Sequence, residues 1–76
     1  KMLFFRKYYL EVEEIEADNI YLEYTKCEVV RGRNITIGEG CNIKRIEYLD
    51  EVLIDSNSKV KEKINHENYL KKQNKK

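Results

Sequence analysis

Residues 15–43, with the sequence IEADNIYLEYTKCEVVRGRNITIGEGCNI, repeat one simple pattern. Small or branched apolar residues return as pairs two positions apart, as in Ile20 with Leu22 and Ile35 with Ile37. Short polar stretches separate the pairs, and the apolar positions lack the spacing of three and four residues that marks a helix. Because side chains two positions apart share one face of a strand, the pattern predicts short β-strands.

The same pattern extends over residues 10–64, where one pair begins every five or six residues. The pairs begin at Leu10, Ile15, Ile20, Thr25, Val30, Ile35, Cys41, Ile46, Val52, Ser58 and Ile64. Strands of about three residues are too short to stand as hairpins, so a chain of them is expected to coil around one axis. The predicted fold is all-β: a small parallel β-helix, or β-solenoid, of about three to four coils.

With three strands per coil, one coil takes about sixteen residues, and like residues stack above one another. The first face then carries Ile20, Leu22, Ile35, Ile37, Val52 and Ile54. The second face carries Leu10, Val12, Thr25, Cys27, Cys41, Ile43, Ser58 and Val60. The third face carries Ile15, Ala17, Val30, Ile46, Tyr48 and Ile64. A coil of four strands remains an open alternative.

The corners and flanks complete the predicted organisation. Gly32, Gly38 and Gly40 fall at corners, where we expect them to adopt left-handed backbone conformations. Residues 1–9 are predicted to form an N-terminal cap or interface segment, residues 10–64 the β-helix, and residues 65–76 a polar basic tail.

The composition argues against several classes of partner. The chain has 76 residues and a net charge of +1, whereas nucleic-acid-binding domains usually carry a clear basic excess. The longest apolar run, residues 2–5, is far too short to cross a bilayer. We therefore expect a cytoplasmic protein with no nucleic-acid partner and no membrane segment, in which Cys27 and Cys41 are reduced core thiols.

No set of residues predicts catalysis, a metal or a cofactor. His66 lies in the polar tail beyond the last coil, and two cysteines are too few for the usual four-ligand zinc site. The Gly38–Gly40 stretch is interpreted as a corner of the coil and not as a phosphate-binding loop. Arg31 and Arg33 are interpreted as solvated corner residues and not as contacts to a nucleic-acid backbone. The expected function is non-enzymatic, with no small-molecule substrate.

At IEADNIYL and VVRGRNITIG the sequence resembles the bactofilins, a family of bacterial cytoskeletal proteins with a right-handed parallel β-helix. The resemblance covers residues 10–64. It implies a right-handed solenoid and a polymer-forming structural protein that needs no nucleotide and whose β-helices stack end to end. The implied partner is another copy of the chain or another protein.

The candidate interface consists of exposed or flanking apolar residues, because tyrosine and other aromatics are enriched in protein interfaces. Its members are Leu3, Phe4, Phe5, Tyr8, Tyr9, Tyr21 and Tyr24. Two other functions stay open. The stretch ITIGEGCNI fits the hexapeptide pattern of left-handed β-helix acyltransferases, and the apolar N-terminal segment fits a monomeric adaptor that docks a partner protein.

Overall fold

The computed structural model describes residues 8–66, and strands make up most of this part of the chain. The strands are β1 (Leu10–Glu16), β2 (Asn19–Leu22), β3 (Thr25–Ile37), β4 (Asn42–Ile54) and β5 (Lys59–Asn65). All pair in parallel in the order β1-β3-β4-β5, and β2 also pairs with β3. The chain therefore winds into a parallel β-solenoid of about 4 turns, as its sequence predicts.

The second and third coils are each one residue longer than the coil before. We call the number of residues between two paired positions of neighbouring coils the pairing offset. It is 15 from Leu10 to Thr25, 16 from Lys26 to Asn42, and 17 from Asn42 to Lys59. The predicted coil of about sixteen residues is confirmed, and three strand positions per coil account for it. Numbered from 1 to 4 in chain order, the first three coils comprise residues 10–24, 25–40 and 41–57, and the last begins at residue 58.

The strand registers confirm the stacking predicted for the first two faces. On the first face, Ile35 pairs with Ile20 on one side and with Val52 on the other. On the second face, Cys27 pairs in the same way with Val12 and Ile43. Alternation between core and solvent enforces these registers, because a slip of one residue would turn every inward side chain outward.

The third face follows its prediction only over the first three coils. Val30 pairs with Ile15 and with Ile46, as expected. The predicted position of Ile64 was wrong, because Ile46 pairs with Lys63 and Ile64 lies one position further on. The regular alternation of apolar columns therefore ends within β5.

The strands are fewer and longer than the pairs of apolar residues suggest. β3 and β4 each run for 13 residues and cross more than one face of the solenoid. Around Glu28 the backbone turns, yet Cys27 still pairs with Ile43 and Val29 still pairs with Arg45. A corner that keeps the pairing on both sides bends a strand without ending it, so residues 10–64 form five strands where the sequence suggests eleven short ones.

The core lies in the middle coils. Val30 and Ile46 are completely buried, whereas Val12 and Val60, in the first and last coils, are half-buried. Both cysteines are buried free thiols, as predicted. The Cys27 thiol donates to the Val29 carbonyl oxygen at 3.2 Å, and burial raises the pKa of this thiol.

The glycines at the corners differ from one another in their roles. Gly40 has a φ of 76°, so the predicted left-handed conformation is correct for this residue. It is wrong for Gly32 and Gly38, which do not have positive φ angles. A β-carbon on Gly32 would lie 2.6 Å from the Ala17 carbonyl oxygen, so this glycine is needed because two coils approach closely there.

Candidate interaction surfaces

The four tyrosines of the predicted interface that lie within residues 8–66 are Tyr8, Tyr9, Tyr21 and Tyr24, and we call them the tyrosine patch. The rings of Tyr9 and Tyr24 pack with their centroids 5.4 Å apart and tilted by 57°. The backbone supports this contact, because the Tyr9 N–H donates to the Tyr24 carbonyl oxygen at 2.8 Å. Leu3, Phe4 and Phe5, the other members of the predicted interface, lie outside the described residues.

Two glycines of coil 2 make room for the tyrosines of coil 1. A β-carbon on Gly40 would overlap the Tyr24 ring, and one on Gly38 would lie 3.1 Å from the Tyr21 hydroxyl oxygen. Tyr24 itself has a φ of 49°, a left-handed conformation that few bulky residues adopt. The local sequence therefore builds the patch from an unusual tyrosine turn in coil 1 and two residues without side chains in coil 2.

The charged groups identified beside the patch are carboxylates. The Tyr21 hydroxyl donates to Glu23 Oε2 at 2.8 Å, and this hydrogen bond raises the pKa of Tyr21. The nearby carboxylate of Glu39 raises the pKa of Tyr24. Tyr9 and Tyr21 are 72% and 63% exposed, so the patch presents aromatic surface to solvent next to negative charge.

One exposed apolar residue near the first face belongs to this surface and was missed in the sequence. Leu53 is 55% exposed and pairs with Thr36, which pairs in turn with Tyr21. The three side chains form an outward row across coils 1 to 3. The sequence does contain a signal for this residue. Leu53 lies between the inward residues Val52 and Ile54, so an apolar side chain is placed at a position that faces solvent.

A second surface feature is a notch between the third and first faces. Its cavity measures about 340 Å³, and its lining includes the apolar or small residues Ala17, Gly32, Tyr48 and Leu49. The register between β3 and β4 shifts there, because two residues of β4, Leu49 and Asp50, lie opposite the single Arg33. The notch therefore lies where the extra residue lengthens coil 3.

A ladder of charged side chains borders the notch and connects all four coils. Arg31 of coil 2 pairs with Glu14 of coil 1 and donates to Glu47 Oε1 of coil 3 at 3.0 Å. His66 Nε2, in coil 4, lies 2.9 Å from the same Glu47 oxygen. We call Glu14, Arg31, Glu47 and His66 the charged ladder.

Arg45 adds a further cation beside Glu47, with its Nε 2.9 Å from Glu47 Oε2, although the geometry of that contact is not that of a hydrogen bond. Burial alone would raise the pKa of Glu47. The hydrogen bonds from Arg31 and His66 and the charges of both arginines outweigh burial and lower this pKa. A carboxylate held in this way remains ionised near neutral pH and is better suited to binding coils together than to donating a proton.

The sequence did not reveal the ladder, although it contains a signal. Arg31 and Glu47 are 16 residues apart, which is one coil, but their pairing can be recognised only when the length of each coil is known. His66 was predicted to lie in the polar tail with no role in a site, and no local pattern in the sequence indicated its contact with Glu47.

Two negative findings apply to the part of the chain that the structure describes. Within residues 8–66, no group of three or more His, Cys, Asp or Glu side chains is arranged to hold a metal ion. The same residues contain no helix with the length and hydropathy of a membrane span.

Comparison with known proteins identifies two relatives from Bacillus subtilis (strain 168). The chain is 46% identical over 54 residues to the uncharacterized protein YhbF, a match that covers 71% of this chain and 23% of YhbF. It is 39% identical over 51 residues to the uncharacterized protein YhbE, covering 67% of this chain and 22% of YhbE. The chain thus spans less than a quarter of the length of these curated relatives. No protein-family model matches it, and no solved structure matches it significantly.

Proposed function

We propose that this chain is a non-enzymatic structural module that associates with further copies of itself by end-to-end stacking of its β-solenoid. The bactofilin resemblance of residues 10–64 implies this behaviour. The observation that carries the proposal is the open edge at each end of the sheet. Among residues 8–66, β1 and β5 each pair on one side only, and an unpaired strand edge is a template for pairing with another chain.

The burial of the inward columns supports the same proposal. In the column that passes through Cys27 and Ile43, these two residues are 3% and 1% exposed. Val12 and Val60 end that column and are only half-buried. A further coil from another chain would cover them and remove apolar surface from water, which favours association.

Light scattering after size-exclusion chromatography, over a wide range of protein concentration, tests the proposal. Growth from monomer to dimer and larger species with rising concentration would support end-to-end association. Val60→Asp should reduce this growth, because it places a charge on the exposed end of an apolar column. Leu53→Asp, a change on the lateral surface, is the matched control and should leave the growth unchanged. A fixed monomer over the whole range would contradict the proposal.

The structure gives the acyltransferase alternative one feature in its favour, since a histidine held by a carboxylate is a common general base. His66 and Glu47 form such a pair at the border of the notch. The lengths of the coils favour the structural proposal instead, because a strict hexapeptide repeat requires equal coils and the offsets here rise from 15 to 17. A fixed trimer whose melting temperature rises with an acyl thioester would favour the enzyme.

The adaptor alternative predicts docking through the apolar N-terminal segment, whose Leu3, Phe4 and Phe5 lie outside the described residues. A further apolar surface for a partner is supplied by the exposed side chains of Tyr9, Tyr21 and Leu53. An adaptor would remain monomeric, and Leu53→Asp would weaken its partner binding without changing its mass in solution. For all three functions we propose a cytoplasmic location, which suits the two buried free thiols, Cys27 and Cys41.

A further inference from the structure

The outward side of the first face differs in charge from the rest of the solenoid. This surface belongs to residues 19–24, 34–40 and 51–57, and we call it the outer first face. These stretches contain no lysine, arginine or histidine, although the chain has 15 lysines and arginines. They do contain four exposed acidic residues: Glu23, Glu39, Glu51 and Asp55. The net charge of +1 for the whole chain conceals this local negative surface.

The four carboxylates are not among the ion pairs identified within residues 8–66. Those pairs involve other acids: Glu14, Glu28, Glu47 and Asp50. Glu23 accepts a hydrogen bond from the Tyr21 hydroxyl, and Asp55 accepts one from the Asn57 N–H. Like charges without cations beside them leave a negative potential on the surface, which attracts a cationic segment.

The outer first face also exposes apolar side chains. Tyr21 and Leu53 stand at the two ends of the outward row that runs through Thr36, and they are 63% and 55% exposed. At the corner beside this row, Tyr24 keeps its left-handed φ of 49°, and backbone strain of this kind is concentrated at functional sites. Aromatic and apolar side chains surrounded by carboxylates suit a segment that combines apolar and basic residues.

Residues 1–7, with the sequence KMLFFRK, have this composition. They contain three cations, Lys1, Arg6 and Lys7, and no acid, and a run of four apolar residues separates Lys1 from Arg6. This segment lies outside the described residues. Its sequence complements the outer first face both in charge and in apolar character.

The described chain begins beside the outer first face. Tyr9 is fixed at the corner of this face, because its N–H donates to the Tyr24 carbonyl oxygen and its ring packs on the Tyr24 ring. The Tyr8 hydroxyl accepts a hydrogen bond at 3.3 Å from Asn42 Nδ2 in coil 3, so the Tyr8 side chain lies along the side of the solenoid. Seven extended residues span about 23 Å, and three stacked coils span about 10 Å. Residues 1–7 are therefore long enough to cross the face from coil 1 to coil 3.

We propose that residues 1–7 fold back onto the outer first face of the same chain. The apolar run covers the exposed row, and the cations pair with the carboxylates nearest the corner, Arg6 and Lys7 against Glu23 and Glu39. The contact is lateral and leaves both open edges of the sheet free, so this inference does not depend on end-to-end association. The segment and the face cover one another, and a partner protein binds either of them only after the segment is released.

The basic tail is the competing occupant of this face. Residues 67–76 also contain four lysines and two large apolar residues. They follow His66, which lies at the notch in coil 4, whereas the exposed ring of Tyr21 lies in coil 1. Residues 1–7 join the chain directly at the corner beside Tyr21. Position along the solenoid therefore favours residues 1–7.

A tryptophan at position 4 reports whether the segment is covered, because the chain has no tryptophan of its own. The full-length Phe4→Trp chain, at a concentration where light scattering gives a monomer, should emit at shorter wavelength than exposed tryptophan and resist quenching by acrylamide. Adding Leu53→Asp should shift both readouts to those of an exposed tryptophan. Lys44→Asp, at an exposed position of coil 3 outside the outer first face, is the matched control and should change neither. Exposed emission from Phe4→Trp alone would overturn the proposal.

Exchange of charges tests the pairing itself. In the Phe4→Trp chain, Glu23→Lys with Glu39→Lys should expose the tryptophan, because the face would then repel the cations of the segment. Adding Arg6→Glu with Lys7→Glu to that variant should cover the tryptophan again. A tryptophan that stays exposed after the exchange would overturn the proposed ion pairs.

The control for the charge reversal places the same charges elsewhere on the solenoid. Glu13→Lys with Glu62→Lys changes two exposed acids outside the outer first face and should leave the tryptophan covered. Exposure of the tryptophan by this control would show that net charge, and not the outer first face, holds the segment. Circular dichroism of each variant establishes that the strand content is retained, so that a lost contact is not mistaken for unfolding.

Crosslinking identifies which segment covers the face. Phe4→Cys with Leu53→Cys, treated with a short thiol-specific crosslinker, should give an internally linked monomer, while the two native cysteines are buried. Phe4→Cys with Lys44→Cys should remain unlinked. A link between Leu70→Cys and Leu53→Cys in place of the first would assign the face to the tail. Crosslinked dimers without the linked monomer would assign it to a second copy, and either result would overturn the proposal.

The outcomes separate this inference from the proposed function. Light scattering measures end-to-end association and tryptophan emission measures the lateral contact, so each can fail while the other stands. Emission from Phe4→Trp that is exposed in the free chain and shifts only with phosphatidylglycerol vesicles would assign residues 1–7 to a membrane surface. That result would overturn the contact with the outer first face.

Discussion

Two corners of the solenoid each take up one extra residue, and they are closed in different ways. At residues 38–40 the pairing offset rises from 15 to 16, and the Tyr24 ring covers Gly40. At the notch the offset rises from 16 to 17, and charged side chains border the gap, with Arg33 donating to Asp50 at 3.1 Å.

The comparison shows where a coil of the solenoid can accommodate an extra residue and which contacts then close the corner. Extra residues collect at corners, because an insertion in the straight part of a strand would reverse its inward and outward faces. A corner covered by an aromatic ring depends on shape, whereas a corner bordered by ion pairs also depends on pH and salt. The four substitutions below separate these two dependences.

The largest effect is expected at the notch from Gly32→Ala. The new β-carbon would lie 2.6 Å from the backbone carbonyl oxygen of Ala17, and neither backbone can yield without separating coils 1 and 2. We expect a loss of about 3 kcal/mol in the free energy of unfolding, the upper range for an overpacked site. Urea unfolding followed by circular dichroism measures it. A smaller loss than that of Gly40→Ala would show that the notch is the more adaptable corner.

Gly40→Ala should cost about 2 kcal/mol, because its φ of 76° is unfavourable for a residue with a β-carbon. The new atom would also displace the Tyr24 ring and so disturb its packing on Tyr9. Gly40→Asn is the matched variant, since asparagine tolerates the left-handed region but also carries a β-carbon. The difference between the two variants isolates the backbone contribution, and equal losses would assign the whole effect to the ring.

These two glycines also show how far the sequence could predict the fold. Alternation of apolar and polar residues predicted the solenoid, the coil of about sixteen residues and two of the three stacked faces, because burial fixes the register. The same sequence could not distinguish a glycine needed for φ, Gly40, from one needed for a close approach, Gly32. That difference depends on the distance between coils, which no local pattern records.

The candidate surfaces were predicted in part, for a related reason. Counting along the repeat places Tyr21 outward and Tyr24 next to a corner. Tyr9 precedes the repeat, and its contact with Tyr24 had no local signal. The charged ladder was missed, because the partners of a long side chain such as Arg31 lie one coil away. The role of the tyrosine patch as an interface remains a prediction.

Glu47→Gln tests whether the notch depends on charge. The variant should lose about 1.5 kcal/mol at neutral pH, the scale of a hydrogen bond to a charged group. The lowered pKa of Glu47 makes its contribution fully present above the unfolded glutamate pKa of about 4.3 and lost as the pH falls through the folded value. The difference between the two proteins should therefore shrink below about pH 4.3.

Unfolding curves recorded at intervals of roughly one pH unit between pH 3 and pH 7 measure how the stability difference between the two proteins depends on pH. Glu62→Gln is the control, because Glu62 is an exposed carboxylate of β5. A difference between Glu47→Gln and the unmodified chain that stays constant down to pH 3 would show that the Glu47 side chain contributes through packing rather than charge.

The smallest effect is expected from Arg33→Gln, although Arg33 lies only two residues from Arg31. The side chains of Arg33 and Asp50 are 53% and 42% exposed, and exposed ion pairs contribute about 0.5 kcal/mol or less. A double-mutant cycle with Asp50→Asn measures the coupling free energy between the two side chains at low and high salt, and screening should reduce this energy at high salt.

Arg31 is the matched comparison. It pairs with Glu14 and Glu47, and Glu47 is only 12% exposed, so Arg31→Gln should lower the free energy of unfolding by more than Arg33→Gln does. Equal losses in the free energy of unfolding from the two substitutions would show that neither exposure nor the number of partners sets the strength of these ion pairs. Backbone contacts alone would then stabilise the notch.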